Sequence, residues 1–241
     1  MLYLIGLGLN VDGISTFGLE SAKKCKKIYL ENYTVDFPYS QGQLEEVIGK
    51  KINSADREKV ESLEIVDEAK KMDVALLVYG SPLTATTHIS LIQEANRLNI
   101  KSKVIFSASV LDAVAATGLQ IYKFGKIASM PRWDLKKHYK PDSFAETIRE
   151  NQSINAHSLI LADIGLEFQD ALKQLDEAAT KNKIKLNKII VCQALGTKNQ
   201  KIFYEDFGNF WSYTGIRSPY CFIIPGKLHF LEREILESFE K

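Results

Sequence analysis

Cysteine is scarce in this chain of 241 residues, and the three present, Cys25, Cys192 and Cys221, lie far apart with no Cys-x-x-Cys pair. An odd, dispersed set supplies neither a disulfide framework nor a zinc site, and it implies reduced thiols and a cytoplasmic protein. An excess of one charge is missing too, because 31 Lys and Arg stand against 30 Asp and Glu. The net charge of +1 gives no general attraction for nucleic acid or an anionic membrane, so any macromolecular partner must be recognised locally. No apolar run approaches the roughly 20 residues of a membrane span. The opening MLYLIGLGLNVDG also lacks the basic segment and small-residue cleavage site of a signal peptide, and reads as a first strand. Internal repeats and low-complexity tracts are absent.

Several catalytic signatures are missing as well. Nothing matches a nucleophile elbow, a P-loop or an HExxH helix, so hydrolase chemistry lacks its usual parts. The first apolar run ends in Gly6-Leu7-Gly8, but Val11 stands where a dinucleotide fingerprint needs its third glycine, and the next glycine is Gly13. NAD binding is therefore disfavoured, although Glu31 falls about where a ribose-binding acid would; that residue reads as a solvated strand end. The glycine pair still permits a tight turn where a ligand approaches the carboxyl end of a parallel strand. His88 has no second His or Cys nearby and reads as structural, with no metal expected. Asp112 and Asp163 are isolated and fit caps or solvated positions.

What the chain does have is ordinary globular composition, 45% hydrophobic and 25% charged, enough for one large core or two modest ones. Strand-like apolar runs recur at Leu2–Leu9, Lys27–Tyr33, Val74–Tyr79, Lys103–Ser107, Lys126–Met130, Ser158–Ile164, Lys188–Gln193 and Tyr220–Ile224. Between them lie helical spacings: Leu19, Ala22, Cys25 and Ile28; Leu63, Val66 and Ala69; Leu91, Ile92, Ala95 and Leu98; Phe168, Ala171, Leu172 and Leu175. Ser143 and Glu146 fit a capping box opening a helix at Phe144, and the lysines at 23, 24, 26 and 27 suit a helix C-terminus. The alternation predicts an α/β protein with largely parallel strands. The turn-rich stretch Thr117–Lys126 is the best boundary, dividing the chain into α/β domains 1–116 and 117–241. A second ligand-facing segment is Tyr79–His88, where a strand meets a Gly-Pro turn and a Thr-rich helix start, with Thr86 or Thr87 as the N-cap.

The strings LYLIGLGL, GSPLTATTH, TGLQIYKFGK, HSLILADI and IIPGKLH together resemble, in sequence and order, the diphthine synthases, the archaeal ones above all. These belong to the tetrapyrrole-methylase type of S-adenosylmethionine-dependent methyltransferase. The resemblance spans nearly the whole chain and is patchier at 36–72, 131–142 and 170–215. It implies two α/β domains with a cofactor cleft between them, a homodimer, and N-methylation of a modified histidine on translation elongation factor 2 in diphthamide biosynthesis. S-adenosylmethionine would be converted to S-adenosylhomocysteine without a metal. It further implies cofactor contacts at Leu9, Ser81, Thr84, Ser109, Val110, Ala162, Leu195 and Tyr220, several through the main chain, and it names no catalytic residue. The chain departs from the family where Gly80-Ser81-Pro82 replaces Gly-Asp-Pro and where Cys192–Gly196 replaces an Arg-containing stretch. The alternatives are the same fold acting on a tetrapyrrole or ribosomal RNA, or a divergent binding protein with weakened activity.

Overall fold

The computed structural model describes residues 1–240. The chain forms two compact units, Met1–Leu111 and Asp112–Lys241. Unit one runs β1 (Leu2–Gly6), α1 (Thr16–Lys24), β2 (Lys27–Glu31), α2 (Gln41–Ile48), β3 (Asn53–Ala55), α3 (Arg57–Glu61), α4 (Glu64–Ala69), β4 (Val74–Val78), α5 (Ile89–Arg97) and β5 (Ser102–Ile105). A short α6 (Val110–Ala113) carries the chain across the boundary.

The unit-one sheet has the order β3-β2-β4-β1-β5, and every pairing in it is parallel. Central strand β4 is buried at all its positions, as a parallel strand covered on both faces must be. Successive residues serve opposite faces: Leu4 and Leu76 pack with Val66 and Leu91, while Ile5 and Leu77 pack with Ala22 and Leu44. Helix α1 starts where Ser15 accepts from the Gly18 amide at 3.0 Å and ends on Lys23 and Lys24. Cys25 is its C-cap and Ile28 already lies in β2, so the three-residue spacing ran past the helix end. Helix α5 has His88, not Thr86 or Thr87, at its N-cap, without a side-chain hydrogen bond.

Unit two contains β6 (Ala128–Met130), α7 (Ser143–Ser153), β7 (Ser158–Ala162), α8 (Phe168–Lys181), β8 (Lys188–Gln193), β9 (Lys201–Asp206), β10 (Tyr220–Ile224) and α9 (Phe230–Glu237). Its sheet order is β6-β7-β10-β8-β9. Only β6 and β7 pair in parallel; the other three pairings are antiparallel. The expectation of largely parallel strands therefore holds for unit one alone. No helix separates β8 from β9, and a short connection can only fold a strand back on its neighbour. Phe168 of α8 anchors the core, 5.9 Å from the Phe222 ring and 5.5 Å from the Tyr220 ring. The capping box expected at Ser143 and Glu146 does not form. Asp142 is the N-cap and Ser143 is already helical.

Candidate functional site

At the carboxyl edge of the unit-one sheet, the loops leaving β1 and β4 lie against each other. The Gly8 amide donates to the Gly80 carbonyl at 3.0 Å, and the Gly80 amide donates back to Gly8 at 2.9 Å. A Cβ on Gly6 would lie 2.8 Å from the Gly80 oxygen and from Pro82 Cδ, and one on Gly8 would lie 2.8 Å from the Gly13 oxygen. These glycines thus serve the contact between loops. The Tyr79 hydroxyl donates to the Leu9 carbonyl at 3.1 Å, and the Ser107 hydroxyl donates to the Gly13 carbonyl at 3.1 Å.

That crossing collects the expected cofactor residues of unit one. Leu9, Ser81 and Ser109 are buried, Thr84 and Val110 half-buried. Gly80 abuts Ser109, and the Ser109 hydroxyl accepts from the Leu111 amide at 3.1 Å. The Thr84 amide donates to the Ser81 carbonyl at 3.3 Å, while Leu83 and Ala85 adopt φ values of 65° and 55°. Two non-glycine residues in left-handed conformation store strain of about 1–3 kcal/mol each, a feature concentrated at ligand-facing turns.

The remaining expected residues lie in unit two. Ala162 ends β7 and Tyr220 begins β10, whose next residue, Cys221, pairs with Leu161; Leu195 is buried just after β8. Tyr220 is committed to its own core, since its hydroxyl donates to the Leu166 carbonyl at 2.8 Å.

Glu31, expected to be solvated, is fully buried. In the segment after β2, the Phe37 and Tyr39 rings pack 5.2 and 6.3 Å from Tyr79. Burial raises the Glu31 pKa; donors on Thr34 and Tyr33 and the Arg57 charge offset this only in part. His88, expected to be structural, is buried, with Nε2 3.4 Å from the Tyr33 hydroxyl. Burial pushes its pKa down to about 4. Because the unfolded chain takes up that proton near pH 6.5 and the folded chain only near 4, stability should fall as pH drops through this window and be flat above it. The loss amounts to roughly 3 kcal/mol on the 1.36 kcal/mol per pH unit scale. Urea midpoints from pH 7 to 4 for the wild type and His88→Gln should diverge accordingly, and parallel curves would refute this.

In unit two, three of the motif strings converge on one side chain that sequence reasoning missed. Glu232 of α9 accepts from the Gln120 amide at 3.0 Å, the His229 amide at 2.7 Å and His157 Nε2 at 3.2 Å, and also from Lys123 Nζ. The Gly226 amide donates to His157 Nδ1 at 2.9 Å, which places the ring proton on Nε2 and keeps the imidazole neutral. Burial alone would raise the Glu232 pKa, but the Lys123 ammonium and these N–H donors hold it at about 2. The YKFGK, HSLILADI and PGKLH strings therefore carry a buried architectural network. Among the described residues no group of three or more His, Cys, Asp or Glu is placed to hold a metal ion, and no helix is long and apolar enough to cross a membrane.

Residues 1–209 match the family described as Tetrapyrrole (Corrin/Porphyrin) Methylases. This chain belongs to that family. Within it, the chain is 45% identical over 172 residues to the diphthine methyl ester synthase of Schizosaccharomyces pombe, covering 70% of this chain and 60% of the yeast protein. Over its full length it is 34% identical to a protein of Arabidopsis thaliana named “Probable diphthine methyl ester synthase”, of which 98% is covered. The chain spans about three fifths of the length of the fungal relatives it matches. A solved diphthine synthase superposes with a TM-score of 0.90 at 30% identity, over 99% of this chain and 95% of that one. The relatives named here are fungal and plant proteins, whereas the motif strings resemble archaeal diphthine synthases above all. The tetrapyrrole-methylase match takes in all of unit one and ends before β10 and α9.

Proposed function

We propose that this chain is an S-adenosylmethionine-dependent methyltransferase of diphthamide biosynthesis, acting on a modified histidine of translation elongation factor 2 as a cytoplasmic homodimer. The observation that carries this reading is the similarity running the full length of the chain to the plant protein. Support comes from the glycine crossing, which sets the Leu9 main chain beside the buried Ser81 and Ser109. Neutral acceptors and hydroxyls of this kind fit the ribose and amino-acid groups of S-adenosylmethionine. The loops of unit one would hold it through Leu9, Ser81, Thr84, Ser109 and Val110.

When bound, the cofactor supplies an electrophilic methyl group on a sulfonium, which leaves as a neutral thioether. The protein's own residues then have to align the acceptor and exclude water, and alignment can supply on the order of 7–11 kcal/mol. No covalent enzyme intermediate is required. The relatives' names specify a methyl ester, and an ester forms on a carboxylate oxygen. We extend the reading accordingly: the acceptor presents both an amine and a carboxylate, and both are methylated. Calorimetry tests the cofactor assignment, with S-adenosylmethionine expected to bind and NAD not; the reverse pattern would overturn it.

The change Ser81→Asp tests the placement of the turn. Capping of α5 is not the role of Ser81, because that helix starts only at Ile89. An added carboxylate gives charge-assisted hydrogen bonds of about 1.5–3 kcal/mol against roughly 0.5–1.5 for neutral ones. Binding of S-adenosylmethionine should therefore tighten about tenfold. At so buried a position the variant should also lose thermal stability when cofactor-free. An unchanged dissociation constant would remove this turn from the cofactor site.

A further inference from the structure

Among the described residues, the buried side-chain polar atoms without a well-formed hydrogen bond all belong to unit one: both carboxylate oxygens of Glu31, Tyr39 OH, Thr86 Oγ1 and His88 Nδ1. Glu31 is 0% exposed and His88 1%. A buried polar atom left unsatisfied costs about 1–3 kcal/mol, and more when it is charged, so native proteins keep few of them and those kept mark unfilled roles. Here the atoms come from two segments that meet. Glu31 ends β2, which pairs with β4 through Leu30 and Leu77. Tyr33 follows and reaches His88, two residues beyond Thr86. On the other side, Tyr39 packs on Tyr79, whose hydroxyl holds the Leu9 carbonyl. Glu31 meets donors on Thr34 and Tyr33 and the Arg57 charge, which offset its burial only in part, and these under-satisfied atoms lie on segments that adjoin the loops carrying Leu9 and Ser81.

Resting on the methyltransferase reading above, we propose that Glu31, with Thr86 and His88, is the binding site for the amine of the acceptor side chain. An ionised carboxylate can only accept hydrogen bonds, so its complement is a donor. An ammonium brings N–H donors together with the positive charge that offsets burying a carboxylate. The same pairing prepares the nitrogen. A proton passes from the ammonium to the Glu31 carboxylate, giving a neutral amine and a carboxylic acid. The freed lone pair forms the N–C bond as the methyl–sulfur bond breaks, and the carboxyl later returns its proton to solvent. A buried carboxyl with a raised pKa is a better proton acceptor than an exposed one.

Glu31→Gln in the full chain tests this, since it keeps the volume and removes the charge. With elongation factor 2 carrying the unmethylated amine, kcat/KM should fall about tenfold or more. The dissociation constant for S-adenosylmethionine should stay within about twofold of wild type, and the thermal midpoint should not drop. A second measurement needs no variant. In protein labelled with 13C at the glutamate carboxyls and saturated with S-adenosylhomocysteine, the Glu31 resonance should shift when the amine-bearing factor is added. Wild-type kcat/KM in Glu31→Gln, or a Glu31 resonance indifferent to the factor, would overturn the assignment alone. Absence of any transfer by the wild-type protein would overturn the methyltransferase reading and this site with it.

Discussion

Replacing Glu232 with alanine is expected to lower the unfolding free energy by about 3–5 kcal/mol, the range seen when one partner of a buried ion pair is removed. Glu232 is 0% exposed and His157 is 0% exposed, and the Lys123 side chain is 24% exposed. Alanine would leave the ammonium, the Gln120 and His229 amides and His157 Nε2 without their acceptor. It would also remove the capping box of α9, in which Glu232 is the third helical residue. Urea unfolding followed through Trp133 and Trp211, both in unit two, would measure the loss, and a value below about 1 kcal/mol would mean that the network is incidental. The pH dependence has a fixed sign. A folded pKa of about 2 lies below the unfolded value, so the contribution of Glu232 is complete above the ordinary carboxylate range and is lost as pH falls through about 2. Glu232→Gln should remove that acid-sensitive part.

The second large effect concerns Gly8. Gly8→Ala should destabilise the protein by about 3 kcal/mol, because strain and collision add. Its φ is +69°, and a Cβ would stand 2.8 Å from the Gly13 carbonyl oxygen and 3.1 Å from the Ser107 hydroxyl. Gly49 supplies the internal control. It is the left-handed C-cap of α2 at φ +72° with open space around its Cβ position, so Gly49→Ala should cost only about 1 kcal/mol. The difference between the two variants isolates the collision, and equal losses would refute it. Because Gly8 and Gly80 are hydrogen-bonded to each other, Gly8→Ala should also displace the turn bearing Ser81 and weaken binding of S-adenosylmethionine by about tenfold or more.

Much of the scaffold was legible in the sequence because strands buried on both faces are continuous apolar runs. The runs Lys188–Gln193 and Tyr220–Ile224 coincide with β8 and β10, and the other expected strands overlap observed ones. The strands that escaped are of a different kind. β3 is three residues of which two are exposed, and β9, KIFYED, has charge at both ends around only three apolar residues, so neither presents a long apolar run. Capping boxes misled for a related reason. The pattern at Ser143 is local and fits many starts, whereas the boxes that form are Ser40 with Gln43 and His229 with Glu232.

The candidate site was legible where backbone chemistry demanded particular residues, as at Gly8 and at Gly80-Ser81-Pro82. It was not legible where tertiary contacts decide the role. Glu232 reads as an ordinary helix carboxylate until Lys123, 109 residues earlier, and His157, 75 residues earlier, are brought to it. Glu31 reads as a solvated strand end, yet in the folded chain it is fully buried. Burial of a charged residue depends on what the chain places above it, and spacing within one element does not encode that.

The most direct test is mass spectrometry of translation elongation factor 2 incubated with the wild-type protein and S-adenosylmethionine labelled in its methyl group. The expected result is labelled methyl on the modified histidine, as multiples of one methyl mass, with none when the protein is omitted. A factor that stays unlabelled while calorimetry shows the protein binding S-adenosylmethionine would contradict the account.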